Sequence, residues 1–222
     1  MAGEAYVTAD NLDERVAVWK QDLAPHVRYE GPGDLSRAAL LLVDLQGFFL
    51  KPESHAYLPA AAAMVERLEQ TAQAFRQAGN PVYWTRHAHQ PGEPARAMTA
   101  WWKDLLREGD PLCLLDPRFE IGPLDLVLGK STYNGFAGTA LTTVLEERGV
   151  DTLVIGGVMT HLCVETTARE AFCRDFHAVV LLDGTAAPDE SLHLSALRTL
   201  AHGVARVITC SEARAALPGE AG

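Results

Sequence analysis

Cysteine is scarce in this chain. There are four in 222 residues, at positions 113, 163, 173 and 210, and none forms a Cys-x-x-Cys pair. That spacing argues against a zinc knuckle or a thioredoxin-type motif. Positive charge is short as well: Lys and Arg number 19 against 29 Asp and Glu, for a net charge of −10. That balance argues against the basic face that phosphate backbones need, so no nucleic-acid partner is expected. No apolar run reaches the roughly 18 residues of a membrane helix, so no membrane partner is expected. The opening residues, MAGEAYVTADNLDER, have neither the basic nor the apolar region of a secretory signal. The expected location is the cytoplasm, with all four thiols reduced. Internal repeats and low-complexity tracts are absent.

What is there is an alternation of apolar runs and helical patterns. RAALLLVD (37–44) is continuous, as a strand buried on both faces must be. PVYWTR (81–86), LDLVLGK (124–130), DTLVIGG (151–157), HAVVLLDG (177–184) and VARVITC (204–210) supply five more strands. Helical patterns lie between most of them. One runs over 60–79, with Met64, Val65, Leu68, Ala72 and Phe75 on one face; others cover 136–149, the stretch after Gly157, and the region around 192–202. Six strands with intervening helices predict an α/β domain with a parallel sheet covered on both faces. Residues 1–36 carry a helix candidate, NLDERVAVWKQDL, and then Pro25, Gly31, Pro32 and Gly33. They are read as an N-terminal arm laid on the domain (37–222) or on a neighbouring subunit. The segment 89–123 stands outside the alternation, and connections of that length often build sites.

Ligands bind beyond the carboxyl ends of strands in such sheets. Asp44, Lys130 and Cys163 fall there. A thiol at a helix start, near a lysine, is expected to favour the thiolate that attacks carbonyls. Asp44 is placed to move the proton, Lys130 to hold Asp44, and the turn GGVMTH to aim backbone N–H groups at an oxyanion. Each residue alone has a plainer reading: a core cysteine, a capping carboxylate, a surface charge.

Three blocks carry a resemblance: LLLVDLQGFFL, GKSTYNGFAGTAL and GGVMTHLCVETTAREAF. In this order, over residues 37–212, they resemble the isochorismatase-like cysteine hydrolases. The resemblance implies a three-layer α/β/α fold with a six-stranded parallel sheet in the order 3-2-1-4-5-6. It implies a catalytic triad of Asp44, Lys130 and Cys163, a cis peptide between Val158 and Met159, and an oxyanion hole from the N–H groups of Met159 and Cys163. The implied reaction is hydrolysis of an amide, carbamoyl or ureido C–N bond through a thioester. The small-molecule substrate is expected against Phe48, His87, His89, Trp101, Trp102, Tyr133 and Phe136; each aromatic is equally a core candidate, and the two histidines have the plainer role of lining the pocket rim. Nicotinamidases of this family hold a metal with an Asp-x-His pair. TRHAHQPG puts His87 where that aspartate stands and offers no third ligand, so no metal and no other cofactor is expected. The cysteine favours the amidohydrolase branch. DLQGFFLKPES and the tryptophans near 101 keep vinyl ether hydrolysis, the isochorismatase reaction, as the alternative; a non-catalytic binding protein on the same fold is a third, since fold does not imply function. The family's habit implies a homodimer or homotetramer.

Overall fold

The computed structural model describes residues 3–102 and 104–219. Six strands form one sheet: β1 (Ala38–Val43), β2 (Val82–His87), β3 (Leu126–Lys130), β4 (Thr152–Val158), β5 (His177–Ala186) and β6 (Ala205–Ile208). Their spatial order is β3-β2-β1-β4-β5-β6, and every registered pair is parallel. This is the arrangement the resemblance implies. Every residue of β1 and β4 is buried, which is why both read as unbroken apolar runs rather than alternating ones.

Helices flank the sheet. α1 (Leu12–Leu23) buries Leu12, Val16, Trp19 and Leu23, and packs on α7 (Glu190–Gly203). The short α2 (Gly47–Leu50) follows β1, and α3 (Val65–Gln77) buries Leu68, Ala72 and Phe75. α4 (Arg96–Trp102) lies in the long connection between β2 and β3. α5 (Leu141–Glu147), α6 (Glu165–Cys173) and α8 (Cys210–Ala215) complete the layers. α3 packs on α8, and α6 on α7. The N-terminal arm is tied to this same chain: Glu4 N–H donates to the Pro188 carbonyl at 2.6 Å, and Leu35 N–H to that of Ala216 at 3.0 Å.

Three elements differ from the sequence reading. The pattern over 60–79 begins as a 3-10 turn, Pro59–Met64, before α3 starts. The pattern over 136–149 is helical only across α5; Gly138 turns left-handed at φ 72°, which breaks a helix before residue 141. Cys210 does not end a strand. It opens α8, where Thr209 and Glu212 form a reciprocal capping box that removes two unpaired N–H donors.

Candidate active site

Strand order reverses between β1 and β4. β1 continues to β2 on one side, and β4 continues to β5 on the other, so a crevice opens beyond their carboxyl ends. Asp44 leaves β1 into that crevice with a left-handed backbone, φ 53°. Asp tolerates this conformation better than most side chains. Opposite it, Gly157 of β4 pairs with Val43 and adopts φ 109°. A Cβ there would sit 2.2 Å from the Val43 carbonyl oxygen. Only glycine lets β4 press this closely on the end of β1.

The three candidate residues converge. Lys130 closes β3, one strand beyond β2, and its ammonium crosses to the crevice. Lys130 Nζ donates to Asp44 Oδ2 at 2.6 Å and to the Thr132 carbonyl at 2.9 Å, and it lies 3.5 Å from Cys163 Sγ. All three of its N–H donors are therefore used. The ion pair with Asp44 is fully buried on both sides. Thr85 Oγ1 donates to Asp44 Oδ1 at 2.7 Å, fixing the carboxylate from the β2 side. Buried Gln46 clamps the base of the site: its Nε2 donates to the His87 and Cys113 carbonyls, and its Oε1 accepts from His87 N–H. Sequence reasoning missed Thr85 and Gln46. Thr85 is a polar residue facing Val43 in register, and Gln46 a polar residue two places after a strand-end aspartate.

Cys163 stands in a wide turn of π-helical geometry, Thr160–Val164, ahead of α6. The Val158–Met159 peptide is cis. The resting charge on the sulfur differs from the sequence expectation. Burial pushes the Cys163 thiol up to about 12; Lys130 opposes this, and the Asp44 carboxylate adds to it. Burial also works against the Lys130 charge, yet the Asp44 carboxylate, with the hydrogen bonds to Asp44 and Cys163, outweighs it and holds its pKa above the ordinary value. The resting site therefore holds a neutral thiol beside an ammonium–carboxylate pair, because a thiolate there would be an extra buried charge.

A narrow, mostly apolar cavity opens onto Cys163. Of the residues expected against substrate, Phe48, His87, Trp102 and Tyr133 line it, joined by Phe49, Asp104, Leu105 and Leu106. Trp102 Nε1 donates to the Tyr133 hydroxyl at 3.0 Å, so these two walls hold each other. Trp101 is half exposed and lines an adjoining chamber with His55 and Met159. Phe136 was expected in the pocket and is not there. It is buried in the core, stacked on Phe176 with Arg174 over its face. His89 is buried behind His87, with ring centroids 5.2 Å apart, and does not line the cavity. His161 is not part of a Cys–His pair among the described contacts. Burial first, then Lys130, push His87 down to about 4, so it is neutral at working pH.

Whether a metal suits this site is decided by its donors. His87 Nδ1 and both nitrogens of His89 have no hydrogen-bond partner, and Glu93 Oε2 lies 3.8 Å from His89 Nδ1. Yet the rings meet edge to face at 78°, and among the described residues no group of three or more His, Cys, Asp or Glu converges as ligands would. The donor set does not fit a metal centre.

Comparison with known proteins agrees with this geometry. A family model described as the isochorismatase domain matches residues 38–212. Nicotinamidase 3 of Arabidopsis thaliana is 34% identical over 185 residues, covering 82% of this chain and 89% of that protein. The ureidoacrylate amidohydrolase RutB of Methylobacterium radiotolerans is 33% identical over 193 residues, covering 75% and 74%. A cysteine hydrolase from Pseudomonas syringae pv. phaseolicola superposes with a TM-score of 0.79 at 28% identity, covering 86% of this chain and 96% of that one. With its sheet order and its converging aspartate, lysine and cysteine, the chain belongs to the isochorismatase family.

Proposed function

We propose that the protein is a cysteine amidohydrolase that cleaves the C–N bond of a small, neutral amide, carbamoyl or ureido compound. The observation that carries this reading is the enclosed thiol of Cys163, with the Lys130 ammonium 3.5 Å away and the Asp44 carboxylate bonded to that ammonium. The names of the two relatives above, both amide-cleaving, support the bond cleaved and not the substrate's neutrality, since ureidoacrylate is itself a carboxylate. Sulfur attacks the substrate carbonyl while Asp44 takes the thiol proton. The Met159 and Cys163 N–H groups meet the developing oxyanion. The tetrahedral adduct collapses to a thioester as Asp44 protonates the departing ammonia or amine. Water, deprotonated by Asp44, then releases the acid and the thiol.

The lining supports a flat, uncharged substrate. Aromatic rings form its walls, His87 is neutral, and the one charged side chain at its edge among the described residues, Asp104, repels anions. The decisive experiment is ammonia release from a panel including nicotinamide, benzamide and simple ureides. The expected result is turnover of at least one amide, abolished by Cys163→Ala and by Asp44→Asn. Isochorismate tests the vinyl ether reading: turnover surviving Cys163→Ala but not Asp44→Asn would replace the amidohydrolase assignment.

A further inference from the structure

The wide turn that carries Cys163 is braced from behind by His193, which is walled in turn by N-terminal residues the family model does not include. Thr160 opens that turn and is fully buried. Its hydroxyl shares a 3.0 Å hydrogen bond with Nδ1 of His193, on α7. His193 is also fully buried. The family model begins at residue 38, yet His193 is walled in by the N-terminal segment. The Trp19 ring lies 4.8 Å from it and the Tyr6 ring 5.9 Å, centroid to centroid. Both walls are anchored. Trp19 Nε1 donates to Glu190 Oε1 at 2.6 Å, Arg15 pairs with the same carboxylate, and Ala187 N–H donates to the Tyr6 hydroxyl at 3.2 Å.

We propose that His193 is a positioning residue for the catalytic turn, held in place by the N-terminal segment through Trp19 and Tyr6. The logic is geometric. Thr160 follows Met159 directly and precedes Cys163 by one turn. The Met159 carbonyl accepts from both Leu162 and Val164 N–H, so the turn closes over it as one unit. A shift of Thr160 moves the nucleophile and the N–H groups around it together. The His193–Thr160 bond is the side-chain tether holding that unit to α7. His193 does not touch the sulfur and does not carry a proton in the reaction. Burial, opposed by Glu190, keeps its ring neutral with a pKa pushed down to about 3. It acts as a fixed strut, and a small misplacement of reacting atoms is costly in rate.

The proposal rests on the amidohydrolase reading for its rate measurements, so the test pairs turnover with a second readout: Cys163 alkylation by iodoacetamide at pH 9. Thr160→Val keeps shape and removes the hydroxyl. It is expected to lower kcat about 10- to 100-fold with little change in KM. His193→Leu should match it, the double variant should be no worse than either single one, and His193→Asn should restore much of the rate by offering a polar group near Nδ1. Trp19→Ala should lower kcat in the same way, while Trp19→Phe keeps it. The alkylation rate of Cys163 should shift in the variants that lose kcat and hold in those that keep it. Wild-type kcat and alkylation in Thr160→Val would overturn the proposal, as would losses that multiply in the double variant. Trp19→Ala that lowers the melting temperature but not kcat would remove the N-terminal segment from it. If wild type turns over no amide, the amidohydrolase reading fails and the alkylation comparison alone decides the tether.

Discussion

Replacing Lys130 with methionine isolates the electrostatics of the site. Methionine nearly keeps the length of the apolar stem and deletes the ammonium. Both members of the Lys130–Asp44 pair are wholly buried, with 2.6 Å between Nζ and Oδ2. Deleting one partner strands the other, and uncompensated buried charges of this kind cost about 3–5 kcal/mol. The Thr85 hydroxyl still donates to Asp44 Oδ1, which offsets a small part. For a domain of this size each kcal/mol moves Tm by about 2–4 °C, so Lys130→Met is expected to melt about 6–20 °C below wild type. The second half of the argument is the double variant. Asp44→Asn/Lys130→Met carries no lone charge, so it should recover most of the lost stability although it remains inactive. Differential scanning calorimetry on the four proteins closes the cycle. A Lys130→Met protein melting within about 2 °C of wild type, or a double variant less stable than either single one, would refute the premise that this pair is sealed from water.

Other perturbations follow from the same geometry. Cys173 is exposed, whereas burial holds the Cys163 thiol near a pKa of about 12. Iodoacetamide at pH 7 should therefore label Cys173 first, and labelling of Cys163 should climb steadily toward pH 9; fast, pH-independent labelling of Cys163 between pH 6 and 8 would contradict the neutral resting thiol. His87 and His193 are held neutral by burial, at about 4 and about 3. Their folded pKa values lie below the unfolded value near 6.5, so the unfolded chain binds more protons and stability is lost as pH falls from about 6.5 toward 4, by up to about 1.4 kcal/mol per pH unit for each ring. Denaturant titrations at stepped pH should show that decline, shallower in His193→Asn. Gly157→Ala meets the Val43 carbonyl and an unfavourable φ together, whereas a Cβ at Gly129 meets nothing within 4 Å. Expression and melting of the two variants should separate sharply, with Gly129→Ala close to wild type.

How much of this was legible in the sequence depended on how local the cause was. β1 and β4 were plain because burial on both faces leaves only apolar residues. The triad was legible because three strand ends deliver three chemically distinct groups to one rim. The start of α5 was not, since residues 131–140 carry apolar residues at helical spacing while their backbone is fixed by turns: Gly135 N–H is held by Thr167 Oγ1 and Phe136 N–H by Asn134 Oδ1. Those bonds come from a distant helix and from a local side chain, and neither leaves a periodic trace. Phe136 was misplaced for the same reason, because its partner Phe176 is remote in sequence. Asp104, Leu105 and Leu106 reach the cavity only through the path of a long connection, which no spacing rule gives. Enclosure also bears on the thiol's charge state, in the direction opposite to the sequence expectation. A helix start and a lysine do favour thiolate, but complete enclosure outweighs both, and enclosure is a property of the folded chain.

On the proposed reaction, that charge state bears on which substrates the site would admit. At rest the triad is Asp44⁻, Lys130⁺ and a neutral thiol, a net charge of zero. On the proposed reaction, attack moves the thiol proton to Asp44 and places a negative charge on the former carbonyl oxygen, and the net remains zero. Collapse returns the proton to the leaving amine, and the thioester site is again neutral. A buried site that keeps its net charge constant avoids the desolvation cost of creating one, and charge only moves within reach of fixed donors. A substrate bearing its own carboxylate keeps an equally constant net charge of −1, but its binding must place that charge among aromatic walls and beside Asp104. Benzamide and 4-carbamoylbenzoate have the same scissile amide and nearly the same shape. The expected result is a lower kcat/KM for the carboxylate, with part of the gap recovered in Asp104→Asn and the gap widening at low ionic strength. Equal kcat/KM for the two amides in the wild-type enzyme would show that the cavity places no condition on substrate charge, and the neutral-substrate reading would fall.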